Sequence, residues 1–109
     1  MAYFICPYLG NDVELTDERE YHITLRHPDL LPEHRQCISD TLALPDEIRS
    51  SPRFGNARLF SRWFEELRGG KHVVVVVVSD SIPLVRHWII TAYITRRLSR
   101  EGKIEWKRN

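Results

Sequence analysis

Two histidines and two arginines crowd into nine residues, Arg19-Glu20-Tyr21-His22-Ile23-Thr24-Leu25-Arg26-His27. At about 100° per residue on a helix, Arg19, His22, Ile23, Arg26 and His27 share one sector, with Tyr21 and Leu25 opposite. Ile23 in the middle of that sector predicts that it faces protein, with His22 and His27 on its two shoulders. Histidine is the side chain whose ordinary pKa suits proton transfer near neutrality. The same spacing also fits a polar shoulder, or a helix-end histidine that caps carbonyls, and spacing alone does not separate these roles.

Two further groups have chemical potential. In Trp88-Ile89-Ile90-Thr91-Ala92-Tyr93-Ile94-Thr95, side chains alternate if the segment is a strand. Ile90, Ala92 and Ile94 then form an apolar face, and Thr91, Tyr93 and Thr95 place three hydroxyls on the other. Such hydroxyls can bind phosphate oxygens or donate protons, although Thr and Tyr are also simply good strand formers. In Arg58-Leu59-Phe60-Ser61-Arg62 the two arginines project to one side with Phe60 between them. That pairing suits phosphate and base contacts, and equally a solvated sheet face. His34-x-x-Cys37 has metal-ligand spacing, but no second pair completes a structural zinc site.

The elements that must position these residues are marked by turn and cap signals. Residues 2–8 are aromatic and β-prone, ending at Pro7, and Gly10-Asn11-Asp12 reads as a turn before a short extended Val13-Glu14-Leu15. Thr16 or Asp17 caps a helix, with Glu20 in a capping-box-like position, and Pro28 ends it near Arg26. A second helix is predicted from Pro32 to about Leu44, with Leu31, Ile38 and Leu42 on one face, and residues 46–56 read as an irregular connector. Strands follow over 57–65 and 71–79, joined by a Gly69-Gly70 hairpin turn, then over 87–95 and in a short Ile104-Glu105-Trp106. The six consecutive valines, Val73–Val78, lack alternation, which predicts a central strand buried on both faces. Lys71 and Asp80 flank it as gatekeepers against aggregation.

Composition sets the outer bounds. At 109 residues, 42% hydrophobic and 28% charged, the chain has room for one domain, residues 1–109, with a real core. A net charge of +1 argues against a wholesale basic protein of the histone or ribosomal kind. Charge is unevenly spread, however: from Arg53 onward there are 12 basic residues and 5 acidic ones. A polyanion partner is therefore allowed by the second half. Two cysteines make no disulfide framework, no signal-peptide pattern opens the chain, and Val73–Val78 is too short to span a bilayer. A reduced, cytoplasmic setting without a membrane partner is the expectation.

Taken in order, these pieces resemble a known family. A helix with His-Ile-x-x-Arg-His-Pro is followed by a second ending in Leu-Pro-Asp-Glu-Ile, then Arg-Leu-Phe-x-Arg, a valine-rich strand, Thr-Ala-Tyr-x-Thr and a terminal Gly-x-x-x-Trp. Over roughly residues 13–106 this is similar to the phage-associated branch of the nucleases grouped with barnase, EndoU, the tRNA-cleaving colicins and RelE, the BECR fold. The resemblance implies an α+β domain in which two N-terminal helices pack on a curved antiparallel sheet of about four strands. It also implies RNA cleavage without metal or other cofactor, in a toxin–antitoxin or phage-conflict setting. Partners would then be RNA, such as tRNA or mRNA, and an antitoxin or immunity protein. Carried over by motif, His22 and His27 would be the acid/base pair with Arg26 beside them, Arg62 would hold the phosphate, and Thr91, Tyr93 and Thr95 would complete the site. Arg58, Lys71 and Arg96 would contact nucleic acid. The alternative is a non-catalytic RNA- or protein-binding module of the same fold.

Overall fold

A computed structural model describes all of residues 1–109. The chain forms strands β1 (Ala2–Cys6) and β2 (Asn11–Leu15), helices α1 (Asp17–Arg26) and α2 (Arg35–Ala43), then β3 (Glu47–Ser50), β4 (Ala57–Phe64), β5 (Lys71–Asp80), β6 (Arg86–Thr95) and β7 (Ile104–Lys107). Its class is α+β, but the expected sheet of about four antiparallel strands is wrong. There are seven strands, in the order β1-β2-β6-β5-β4-β3-β7, and the sheet is mixed because β2 runs parallel to β6. Besides the two helices, the first half of the chain supplies β1, β2 and β3 to that sheet.

The hidden element was β3. Glu47-Ile48-Arg49-Ser50 contains one apolar residue, so its local pattern reads as connector. It is a strand because it lies between β4 and β7 and pairs with both. Local sequence favours such a segment weakly, and cross-strand pairing decides it.

The valine strand β5 sits at the centre of the seven, as its lack of alternation predicts. Its two faces meet different neighbours. Val73, Val75 and Val77 pack with Phe60 and Ile48 beneath Ile38 and Leu42 of α2, forming the main core with Val13, Leu15, Ile23 and Ile89. Val74 is equally buried but stands on the opposite face, away from both helices. That second face is covered by residues 96–103, which return from β6 to β7 across the sheet. Arg49 Nη1 donates to the carbonyls of Arg100 (3.1 Å) and Gly102 (3.4 Å), and Ser50 N–H to that of Lys103 (2.8 Å), fastening this strap. Gly102 has φ +77°, and a Cβ there would collide with the Ser50 carbonyl, so the strap needs glycine at its anchor.

Helix α1 is capped as expected: the Thr16 hydroxyl accepts from the Arg19 N–H (3.2 Å), with Asp17, Glu18 and Glu20 in the first turn and Arg26 in the last. A Glu20–Arg35 ion pair (2.7 Å) ties α1 to α2. Helix α2 begins later than expected, at Arg35, with residues 28–34 in turns. No helix is long and apolar enough to cross a membrane.

Candidate functional site

The β2–β6 ladder consists of one residue pair, Glu14 with Trp88, before the chain turns into α1. Helix α1 therefore takes the place beside β6 that a longer β2 would have occupied. Only Ile23 of α1 is buried, while Tyr21 and Leu25 stay exposed on the far side. The sector read from helical spacing is thus the one that faces the sheet. Arg19, His22, Ile23, Arg26 and His27 all line one open cleft of about 510 Å³, closed on the other side by Ile90 and Thr91.

A β-bulge shapes that second wall. Val76 pairs with Thr91 and Val77 with Ile89, so Ile90 has no partner on β5. The extra residue swings Ile90 off the core face, where Ala92 and Ile94 remain and Ile89 takes its place. The expected apolar row Ile90-Ala92-Ile94 is therefore broken at its first member. Bulges redirect side chains in this way beside functional sites. The freed Ile90 carbonyl accepts a long hydrogen bond from Arg19 Nη1 (3.5 Å).

The hydroxyl row survives. Thr91, Tyr93 and Thr95 oppose Val76, Val74 and His72 on the strap side of the sheet. Tyr93 is the hinge between two spaces. Its ring lies 6.0 Å from that of His27, and it also lines a cavity of about 300 Å³ beneath the strap. Burial pushes the Tyr93 phenol up from its ordinary value, keeping it a protonated donor at neutral pH. Thr95 is half-occupied, with its hydroxyl donating to the Arg97 carbonyl (2.9 Å).

His22 stands at the exposed rim, 3.9 Å from the Glu18 carboxylate one turn earlier. Arg26 makes no ion pair, and neither do Arg96, Arg97 or Arg100 at the strap. Arg26 is thus a free positive charge in the cleft that holds two histidines, and the other three lie at the strap.

Arg62 does not join them. Residues 58, 60 and 62 oppose Val77, Val75 and Val73, which places both arginines on the helix side of the sheet. Arg62 donates to the Leu44 carbonyl at the end of α2 (2.6 Å) and lies over Phe64, a helix-capping position. Arg58 is held by Glu105 (2.9 Å) and reaches Ser79. The Lys71 ammonium donates to the carbonyls of Arg68 (2.9 Å) and Gly70 (3.3 Å), closing the β4–β5 turn. Of the three basic residues expected at nucleic acid, only Arg96 is free and exposed.

Other polar groups were missed by sequence reading. Glu47 and Arg49 form an ion pair (2.8 Å) in the strap cavity, with Glu47 9% exposed. The signal was present as charge alternation across Ile48, but a segment read as connector has no faces to assign. Ser79 and His87 are cross-strand neighbours whose side chains meet at 2.6 Å, and His87 is buried with Nε2 unpartnered. Cys6 and Cys37 are buried, their thiols pushed up chiefly by that burial. No three His, Cys, Asp or Glu side chains gather as metal ligands. No protein-family model, curated protein or solved structure matches this chain.

Proposed function

We propose that the chain is an endoribonuclease that cleaves RNA at the cleft between α1 and β6, using the ribose 2′-hydroxyl as nucleophile and no metal ion. In this reaction one histidine takes the 2′-hydroxyl proton as the oxygen bonds to phosphorus. The other gives a proton to the departing 5′-oxygen, leaving a 2′,3′-cyclic phosphate. Arg26 and Arg19 face the negative charge that grows on the phosphate oxygens, and Thr91 donates from the opposite wall. DNA would be spared because it lacks the nucleophile. The observation that carries the reading is the convergence of His22, Arg26 and His27 with Thr91 on one open cleft.

The test is incubation of the purified chain with bulk RNA in EDTA. Cleavage is expected, falling about 10²–10⁴-fold in His22→Ala or His27→Ala, the usual contribution of a general acid or base. Intact RNA with the wild type, or cleavage by both variants at the wild-type rate, would sink the proposal. The absence of Arg62 from the cleft, where it is held instead by the Leu44 carbonyl, favours one alternative, an RNA-binding module without turnover. The same samples distinguish it, as salt-sensitive retention of uncut RNA.

A further inference from the structure

An open sheet has two edges, and this one treats them differently. At the β7 edge, Lys103 and Lys107 are exposed cations without an ion pair. Charge on an edge strand, lysine above all, is the ordinary guard against edge-to-edge association. The β1 edge has no such guard, since Ala2-Tyr3-Phe4-Ile5-Cys6 holds no charge and no proline. β1 pairs only with β2, and outside that ladder no backbone group of Tyr3, Phe4 or Ile5 makes a backbone hydrogen bond. Phe4 and Cys6 point into the core, while Tyr3 and Ile5 point away from it, 62% and 71% exposed. Val85, also exposed, lies beside Tyr3 in one shallow depression, so the apolar surface continues inward from the edge. An uncharged edge strand with exposed apolar side chains is a template for a further strand.

We propose that β1 is a homodimer seam, pairing antiparallel with β1 of a second copy across a dyad at Phe4, so that the two sheets become one. The strand is complementary to itself in that register. Tyr3 stands opposite the second copy's Ile5, and Ile5 opposite its Tyr3, an aromatic facing a β-branched side chain. Such a self-complementary patch is what a dyad interface requires. Charge singles out a second copy as the occupant. Charged groups beside β1 are matched within the chain: the Met1 ammonium by Asp17, Arg35, which lies 5.4 Å from the Phe4 ring centre, by Glu20 (2.7 Å), and Glu14 by Arg86 (3.1 Å). Asp12, beside Ile5 on β2, has no ion pair but sits one strand in from the edge. Across the seam its mate would be about 14 Å away, three strand spacings, which exceeds the screening length of about 8 Å at physiological salt. The seam is therefore neutral toward itself and offers a polyanion nothing to hold. A dyad normal to the sheet also leaves both helix layers on one side and both straps on the other.

Sedimentation velocity on the full chain, from about 1 to about 100 µM, spans the affinity expected of a small interface. The mass should move to twice that of one chain as concentration rises, in low and high salt alike. Ile5→Lys, at an exposed position, should weaken self-association by about tenfold or more with thermal stability unchanged, because a guarded edge resists pairing. Ile104→Lys, the same change on the β7 edge, should leave the dimer intact. Mild oxidation reads the register. An equimolar mixture of the Tyr3→Cys and Ile5→Cys chains should cross-link into heterodimers, and either chain alone far more slowly, because only unlike positions face each other. A chain that stays monomeric throughout, or a dimer that survives Ile5→Lys or is lost with Ile104→Lys, would overturn the seam. So would either cysteine chain cross-linking alone as readily as the mixture.

Discussion

At the scale of single residues, burial and partners separate chemistry from architecture. Arg62 looks like a phosphate ligand in the sequence, yet its guanidinium shares the Leu44 carbonyl with Arg108 and caps α2. Arg62→Ala should therefore cost stability, about 1.5–3 kcal/mol for a hydrogen bond from a charged group, in urea unfolding. RNA cleavage at a temperature where the variant stays folded should be unchanged, and a selective loss of activity would reverse that assignment. His87 makes the opposite point, a buried histidine that the local pattern does not single out. Burial, with help from the nearby Arg58 charge, pushes its pKa below the ordinary 6.5. A depressed histidine contributes stability that is complete above the unfolded value and lost as pH falls through the folded one. Unfolding free energy should therefore drop on acidification below about 6.5, the usual histidine value. In His87→Gln that part of the pH profile should flatten, and an unchanged profile would count against this origin.

Among the elements, β3 matters more than its four residues imply. It joins β7 to the rest of the sheet and carries Glu47 and Arg49, the ion pair of the strap cavity. Ile48 is its only core anchor and is fully buried. Ile48→Ala should destabilise the fold by about 2–5 kcal/mol, as expected for removing a buried aliphatic side chain, measured by chemical denaturation. Helix α1 was legible because its signals are local: a threonine cap, acidic first turn, terminal proline and one buried isoleucine. Of the seven strands only β3 escaped the sequence pattern, and the long strands were legible most fully. The three eight-to-ten-residue strands β4, β5 and β6 appear in the pattern nearly to their ends. The short ones depend on pairing partners far away in the chain, and the bulge at Ile90 depends on how β5 and α1 fit together.

Across the whole molecule, charge is arranged more decisively than a net +1 implies. Five of the 12 basic residues of the second half are used internally: Arg58, Arg86 and Arg108 are in ion pairs, while Arg62 and Lys71 cap backbone carbonyls. Arg26, Arg96, Arg97 and Arg100 remain unpaired around the cleft and strap. If two to four of them neutralise phosphates, the logarithm of RNA affinity should fall against the logarithm of salt with a slope of about −1.4 to −2.8. Arg96→Gln should make that slope shallower by roughly one phosphate's share. Filter binding across a salt series would read both, and a flat salt response would remove RNA as the partner.

By itself the sequence determined what nearest neighbours along the chain control. It set where α1 begins and ends, which of its residues share a sector, the centrality of the valine strand and the hydroxyl row on β6. Each follows from the period of a helix or strand and from caps a few residues away. Only tertiary structure decided which face each row meets. It sent Arg62 to the helix side of the sheet, Tyr93 to the strap side, and α1 to the place beside β6 that β2 vacates. It made a strand of Glu47–Ser50 and brought Glu47 and Arg49 under a strap some fifty residues later in the chain. Those outcomes depend on strand order, and strand order is set by which long-range pairings bury the most apolar surface together.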